Sequence, residues 1–251
     1  MLTQRFPFLL PLRRWQRRLF FYVGMWLDRR RYARGMRGER LPYAVFSASN
    51  ALYNPNTGFD MVYQENKVFN LKVLAKKLDG LVVQSGETFS FWRVAKGADK
   101  HTPYREGLVL RGGKLVVAPA GGLCQMSNLL FWVFLHSPLD IVERHTHRVK
   151  TFTTPEGMPE GVDATISEGW LDLKLTNNTD FAFQIGIDFD ETTITCTLYA
   201  DKQLLTEYEI ESRDAAYVRR GDVTYQEANI YRNGELLYKN ICQMGFEHEE
   251  A

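Results

Sequence analysis

A lone cysteine follows two glycines in GGLCQMSNLLFWVFLH, residues 121–136, and farther on ERHTHRV carries histidines at alternate positions. A thiol attacks a carbonyl or binds a metal only as thiolate. Thiolate is favoured where sulfur meets the unpaired N–H groups and the positive dipole end of a helix. Cys124 has that environment if it opens a helix. Gly121 and Gly122 then allow close approach of backbone or substrate, and Gln125 offers its side-chain amide or its backbone N–H to a developing oxyanion. On a strand, His145 and His147 share one face with Glu143, and Arg144 takes the other. One imidazole can accept the thiol proton while a carboxylate, Asp163 in GVDATI or Glu143, orients the ring. Arg144 or Arg148 can hold a substrate carboxylate.

The residue types leave three readings open. Cys124 and a histidine form a nucleophilic pair, or the cysteine is a buried structural thiol, or Cys124 joins His145 and His147 around zinc. A structural zinc site needs a fourth ligand, and Cys196, in the alternating TITCTLYA, reads as core, while Cys242, in NICQMGF, has no second ligand close by. Three widely spaced cysteines argue against a disulfide framework and fit a reducing compartment. His101 and His136 read as surface or cap residues. No cofactor is expected.

The elements that must position these residues follow from periodicity. LPYAVFSAS reads as a strand and LYNPNTGFD as a turn-rich loop. NKVFNLKVLAKKL places Val68, Leu71, Leu74, Ala75 and Leu78 at helical spacing, with Asp79-Gly80 closing it. LVVQSGETFSFW and GLVLRGGKLVV read as strands, the second pair turned at Gly112-Gly113, and the aromatics of FSFW read as core. The run from Met126 to Leu135 lacks a polar face, so it reads as a buried strand or as a helix buried on nearly all sides and stopped at Pro138; Cys124 to His136 is long for a strand, which favours the helix. From Ile141 the pattern predicts strands at VERHTHRVKTF, VDATI, WLDLKLT, FAFQIGIDF and TTITCTLYA, with NNTD as a hairpin turn and a second hairpin at Asn233-Gly234. The expectation is an α+β protein with a basic helical N-terminal arm, an α/β core built around the buried helix after Cys124, and a β-rich C-terminal half.

Charge divides the chain. Residues 1–40 hold 11 of the 31 basic residues, all arginine, against Asp28 and Glu39, leaving +9 there and −8 in the remainder. The near-neutral whole argues against a nucleic-acid partner. The arm's two apolar patches, Phe6 to Leu12 and Leu19 to Leu27, fall short of the roughly 18 to 20 residues of a spanning helix. Their order relative to charge does not suit a signal peptide. The expectation is a cytoplasmic protein, with residues 5–34 able to touch an anionic membrane surface; alternatively, the arm's aromatics dock on the protein itself.

At GETFSFW, GGLCQMSNLLFWVFLH, ERHTHRVKTF and GVDATISEGW the chain resembles the VanW family, and the resemblance covers most of its length. It divides the chain into the arm, 1–40, and a VanW-type domain, 41–251, with core motifs at 65–170 and a β-rich part at 170–251. The family pattern GGxCQ followed by ER..H falls on Gly121, Gly122, Cys124, Gln125, Glu143, Arg144 and His147, with Ala120 where many members have a further glycine. It favours His147 over His145 as the base. The resemblance implies cell-wall metabolism: cysteine-dependent acyl transfer of the L,D-transpeptidase kind on peptidoglycan stem peptides or lipid-linked precursors, with Cys124, His147 and Asp163 catalytic. The alternative is a non-catalytic accessory module that binds such precursors or resistance enzymes. Without export, only precursors at the inner membrane face are within reach.

Overall fold

A computed structural model describes residues 8, 10–111, 114–150 and 157–244. Helix α1 (Leu10–Leu27) leads into two short strands, β1 (Arg31–Tyr32) and β2 (Gly35–Met36), then β3 (Tyr43–Ala51). After a 3-10 turn at Pro55–Thr57, helix α2 (Val62–Leu78) precedes β4 (Leu81–Val83), β5 (Glu87–Ser90) and the short α3 (Phe91–Ala95). The hairpin β6 (Glu106–Arg111) and β7 (Lys114–Pro119) runs into α4 (Leu123–Leu135), followed by β8 (Asp140–Glu143) and β9 (Val149–Lys150). Six more strands complete the chain: β10 (Lys174–Thr176), β11 (Phe183–Phe189), β12 (Thr193–Ala200), β13 (Ile210–Arg220), β14 (Val223–Arg232) and β15 (Glu235–Met244). Among the described residues this is an α+β fold with four sheets, ordered β2-β4-β11-β12-β3, β1-β5-β10-β8, β13-β14-β15-β9 and β6-β7.

Helix α4 is the axle of the core. It packs on β3 and β12 and beside α2. Every residue from Met126 to Leu135 is buried, because a stretch this apolar is stable only with neighbours all round it. Phe134 meets Phe89 edge to face at 5.0 Å and Phe91 is fully buried, so the phenylalanines of FSFW are core, while Trp92 packs half-buried against it. Cys196 lies opposite Ala48 and Ile187 in the five-stranded sheet, where burial pushes its thiol pKa up. Residues 31–36, in the arginine-rich section, add an edge strand to two sheets: β1 pairs with β5, and β2 with β4.

Several expected strands are not strands. ETFS pairs in β5, but Ser90 turns the chain by accepting the Arg93 N–H at 3.2 Å, so Phe91 and Trp92 begin α3. In VERHTHRVKTF pairing stops at Glu143 and resumes only at Val149, leaving 144–148 irregular, and residues 151 and 152 lie outside the described residues. VDATI is not a strand: side chains of α4 satisfy both backbone groups of Ala164, Arg144 takes Asp163 O and the Thr165 N–H goes to His145 O. NNTD is no hairpin, because β10 and β11 belong to different sheets; Asn177 instead donates to the carbonyls of Val83 and Phe181. Of WLDLKLT only Lys174–Thr176 forms a strand, and Leu171 makes an isolated bridge with Ser167. The expected Gly112-Gly113 turn lies outside the described residues, although Arg111 and Lys114 pair across it. Asn233 and Gly234, both at positive φ, close the β14–β15 hairpin as their types require.

Candidate active site

Cys124 lies in the first turn of α4. The approach from β7 is tight, and the two glycines serve the protein's own packing. A Cβ on Gly121 would come within 2.3 Å of the Gly107 carbonyl carbon on β6, and one on Gly122 (φ +93°) within 2.1 Å of the Lys67 side chain. Asn70 of α2 pins the loop, donating to the carbonyls of Gly121 and Arg105 at 3.0 Å each. Ala120 holds φ +62° in the left-handed region that glycine adopts more easily. The space beside Gly121 is therefore filled by β6. Gln125 is likewise engaged: its amide donates to Ala51 O at 2.7 Å and its N–H to Gly122 O at 2.9 Å. The N–H groups of Leu123 and Cys124 precede any acceptor within the helix.

The sulfur is partly buried, 3.8 Å from Thr165 Oγ and 3.9 Å from Ile166 O. His147 is the side chain that most favours its ionised form. His147 Nδ1 is 2.6 Å from Asp163 Oδ1, which leaves Nε2 as the ring nitrogen not engaged by the carboxylate. Asp163 also accepts the His147 N–H at 2.5 Å and the Thr146 hydroxyl at 2.9 Å. Burial alone would neutralise all three groups, but mutual contact reverses the outcome. Burial lowers the imidazole, yet Asp163 first and then Cys124 push it up to about 9. Burial raises the thiol, yet the His147 contact brings it below its usual value, and the same contact holds Asp163 below the usual carboxylate range. The three contacts together favour thiolate, imidazolium and carboxylate over the neutral forms.

His145 lies elsewhere. Its ring nitrogen is 3.0 Å from Glu143, which also meets Lys174 at 2.8 Å and accepts the Asp172 N–H. The strand alternation that put both histidines on one face fails because 144–148 is irregular, so Cys124, His145 and His147 do not converge as a zinc set. Among the described residues no group of three or more His, Cys, Asp or Glu side chains is placed to hold a metal ion. The Arg144 guanidinium donates to Asp163 O and Asn240 Oδ1 at 2.9 Å and lies 4.0 Å over the Tyr238 ring. It braces the turn that carries Asp163. Cys242 donates its thiol to His147 O at 3.0 Å.

Comparison with known proteins agrees with the motifs. The family described as VanW like protein matches residues 66–199. The vancomycin B-type resistance protein VanW of Enterococcus faecalis is 50% identical, over 100% of this chain and 95% of its own length. The chain belongs to the VanW family. An uncharacterized protein of Bacillus subtilis, YoaR, is 34% identical over 45% of this chain and 36% of its own. No solved structure matches.

In this VanW fold the residues that set the site's geometry include several that sequence reading passes over. Ser127 and Asn128 stand three and four places after Cys124, so they share its helix face. The Ser127 hydroxyl donates to Ala164 O at 2.6 Å, and Asn128 Oδ1 accepts the Ala164 N–H at 2.6 Å. Together they hold 163–166, with Asp163 at one end and the sulfur's neighbours Thr165 and Ile166 at the other. Two polar residues inside an otherwise apolar run were the available signal, since buried polar groups need partners. Thr146 and Asn240 carry no comparable mark in the sequence.

Proposed function

We propose that this protein is a cysteine acyltransferase of the L,D-transpeptidase kind. Its substrates are peptidoglycan stem peptides or lipid-linked precursors, the class the family resemblance implies. A place in vancomycin resistance is carried over from the name of the Enterococcus faecalis relative. The observation that carries the chemistry is the chain of contacts from Cys124 through His147 to Asp163 at the start of a buried helix.

In this reading the Cys124 thiolate attacks a stem-peptide carbonyl, and oxyanion charge collects near the N–H groups of Leu123 and Cys124. His147 gives its proton to the departing amine as the C–N bond breaks, leaving a thioester. An incoming amine then attacks the thioester carbonyl, His147 takes its proton, and the thiolate departs. Water in place of the amine gives hydrolysis. Asp163 stays ionised and stabilises the imidazolium throughout. Gln125 keeps a positioning role, tying the start of α4 to the end of β3.

The test is intact-mass analysis of the protein incubated with a synthetic stem peptide. The expected result is one acyl addition, mapped to Cys124 and absent in Cys124→Ser. Full turnover by both Cys124→Ser and His147→Ala would overturn the mechanism, and peptide binding with no adduct and no turnover would favour the accessory module.

A further inference from the structure

Helix α1 has two working faces, and only one is occupied by the protein. Met25 is buried; the Tyr22 hydroxyl donates to Glu168 at 3.0 Å; Arg18 pairs with Glu168 at 2.9 Å; and the Arg17 guanidinium sits 4.8 Å over Trp170. These contacts tie the inner face to the segment just after Thr165 and Ile166. The outer face is different. Leu12, Trp15, Leu19, Phe20, Val23 and Trp26 fall within about 140° of arc at helical spacing. All are exposed, Trp26 at 78% and Trp15 at 61%. Single exposed apolar residues are ordinary on a protein surface, but a continuous stripe with two tryptophans is not. Arg13 and Arg17 run along one margin of it.

We propose that this outer face seats on a lipid bilayer bearing anionic headgroups, the helix lying in the plane of the interface. Charge complementarity selects that occupant: the 11 arginines of residues 1–40 meet only two acidic residues, whereas the rest of the chain is net acidic. Tryptophan beside arginine on one helix suits the boundary between acyl chains and headgroups, where the ring is half solvated and the guanidinium reaches phosphate. Among the described residues no helix is long and apolar enough to cross a membrane, so the contact is a surface one. It stands apart from the chemistry at Cys124, because binding is read without turnover.

The experiment is flotation of the purified full chain with vesicles of phosphatidylglycerol and phosphatidylethanolamine, against vesicles of phosphatidylcholine alone. Light scattering in the absence of lipid runs alongside. The expected result is flotation with the anionic vesicles only, weakened by salt. In Trp15→Glu/Trp26→Glu it drops by at least about tenfold, with the thermal unfolding midpoint unchanged because neither side chain packs on the core. Equal flotation with both lipids, no flotation at all, or a dimer that the double variant dissociates would each overturn the proposal; the last would assign the face to a second copy of the chain.

Discussion

Replacing Asp163 by asparagine keeps the side chain's shape and removes the charge that organises the site. In the native arrangement three donors converge on this carboxylate, from the His147 ring, the His147 N–H and the Thr146 hydroxyl. The His147 pKa of about 9, against an ordinary imidazole near 6.5, corresponds to about 3 kcal/mol in favour of imidazolium. Loss of an adjacent opposite charge withdraws about one to three pKa units, with Cys124 left to oppose the burial that disfavours imidazolium. The Cys124 thiol follows, because His147 is what draws it down. It returns to about 8.5 or higher, where roughly 1% is ionised at pH ~6.5. Alkylation by iodoacetamide, which follows thiolate, therefore slows at that pH in Asp163→Asn, by up to on the order of a hundredfold. The assay is peptide-resolved mass spectrometry of Cys124 alkylation from about pH 5 to about pH 10, with buried Cys196 as an internal control. Native protein should reach its plateau well below pH ~8.5, with the variant's limb displaced upward. Superimposable profiles, or a native thiol that becomes reactive only near its ordinary pKa, would refute the reasoning.

Three further outcomes follow from the same contacts. Asn128→Ala leaves the buried Ala164 N–H without its acceptor, which costs about 1–3 kcal/mol in chemical denaturation. It also slows Cys124 alkylation; unchanged reactivity would show that 163–166 is held by other means. Gly121→Ala drives a Cβ into the Gly107 backbone and costs at least about 1–3 kcal/mol, visible as a lower thermal midpoint; no loss would mean that the loop and β6 separate freely. Stability should also show a pH window. The raised His147 pKa contributes stability that is complete below its unfolded value of ~6.5 and is lost as pH climbs through about 9. The depressed Asp163 pKa contributes above its unfolded value of ~3.9 and is lost as pH falls. Denaturation of His147→Ala, compared with the native chain across pH, should lack the alkaline part of this dependence, and identical curves would contradict it.

Legibility from sequence differed by element. The helix after Cys124 was plain because no arrangement leaves MSNLLFWVFL in water. The Asn233-Gly234 hairpin was plain because its turn needs two residues at positive φ. The histidine segment was misread because alternation of types predicts a strand only when a partner edge runs along it, and 144–148 meets its neighbours at single backbone bonds, Thr165 N–H to His145 O and Gln243 N–H to Arg148 O. Arg144 shows the same limit. A guanidinium beside a candidate site suits a substrate carboxylate, but a carbonyl, an asparagine and an aromatic ring satisfy it instead.

Local chemistry thus determined that a cysteine after a glycine turn opens a buried helix, that His147 and Asp163 are residue types able to act on it, and that the first 40 residues carry a concentrated positive charge. Those properties belong to side chains and to short-range backbone preference. Which histidine reaches the sulfur, which carboxylate stands behind it, what fills the space beside Gly121 and which face of α1 stays uncovered were decided only by the tertiary structure. Each depends on groups many residues apart, brought together by burial of the shared core, and no local pattern encodes that distance.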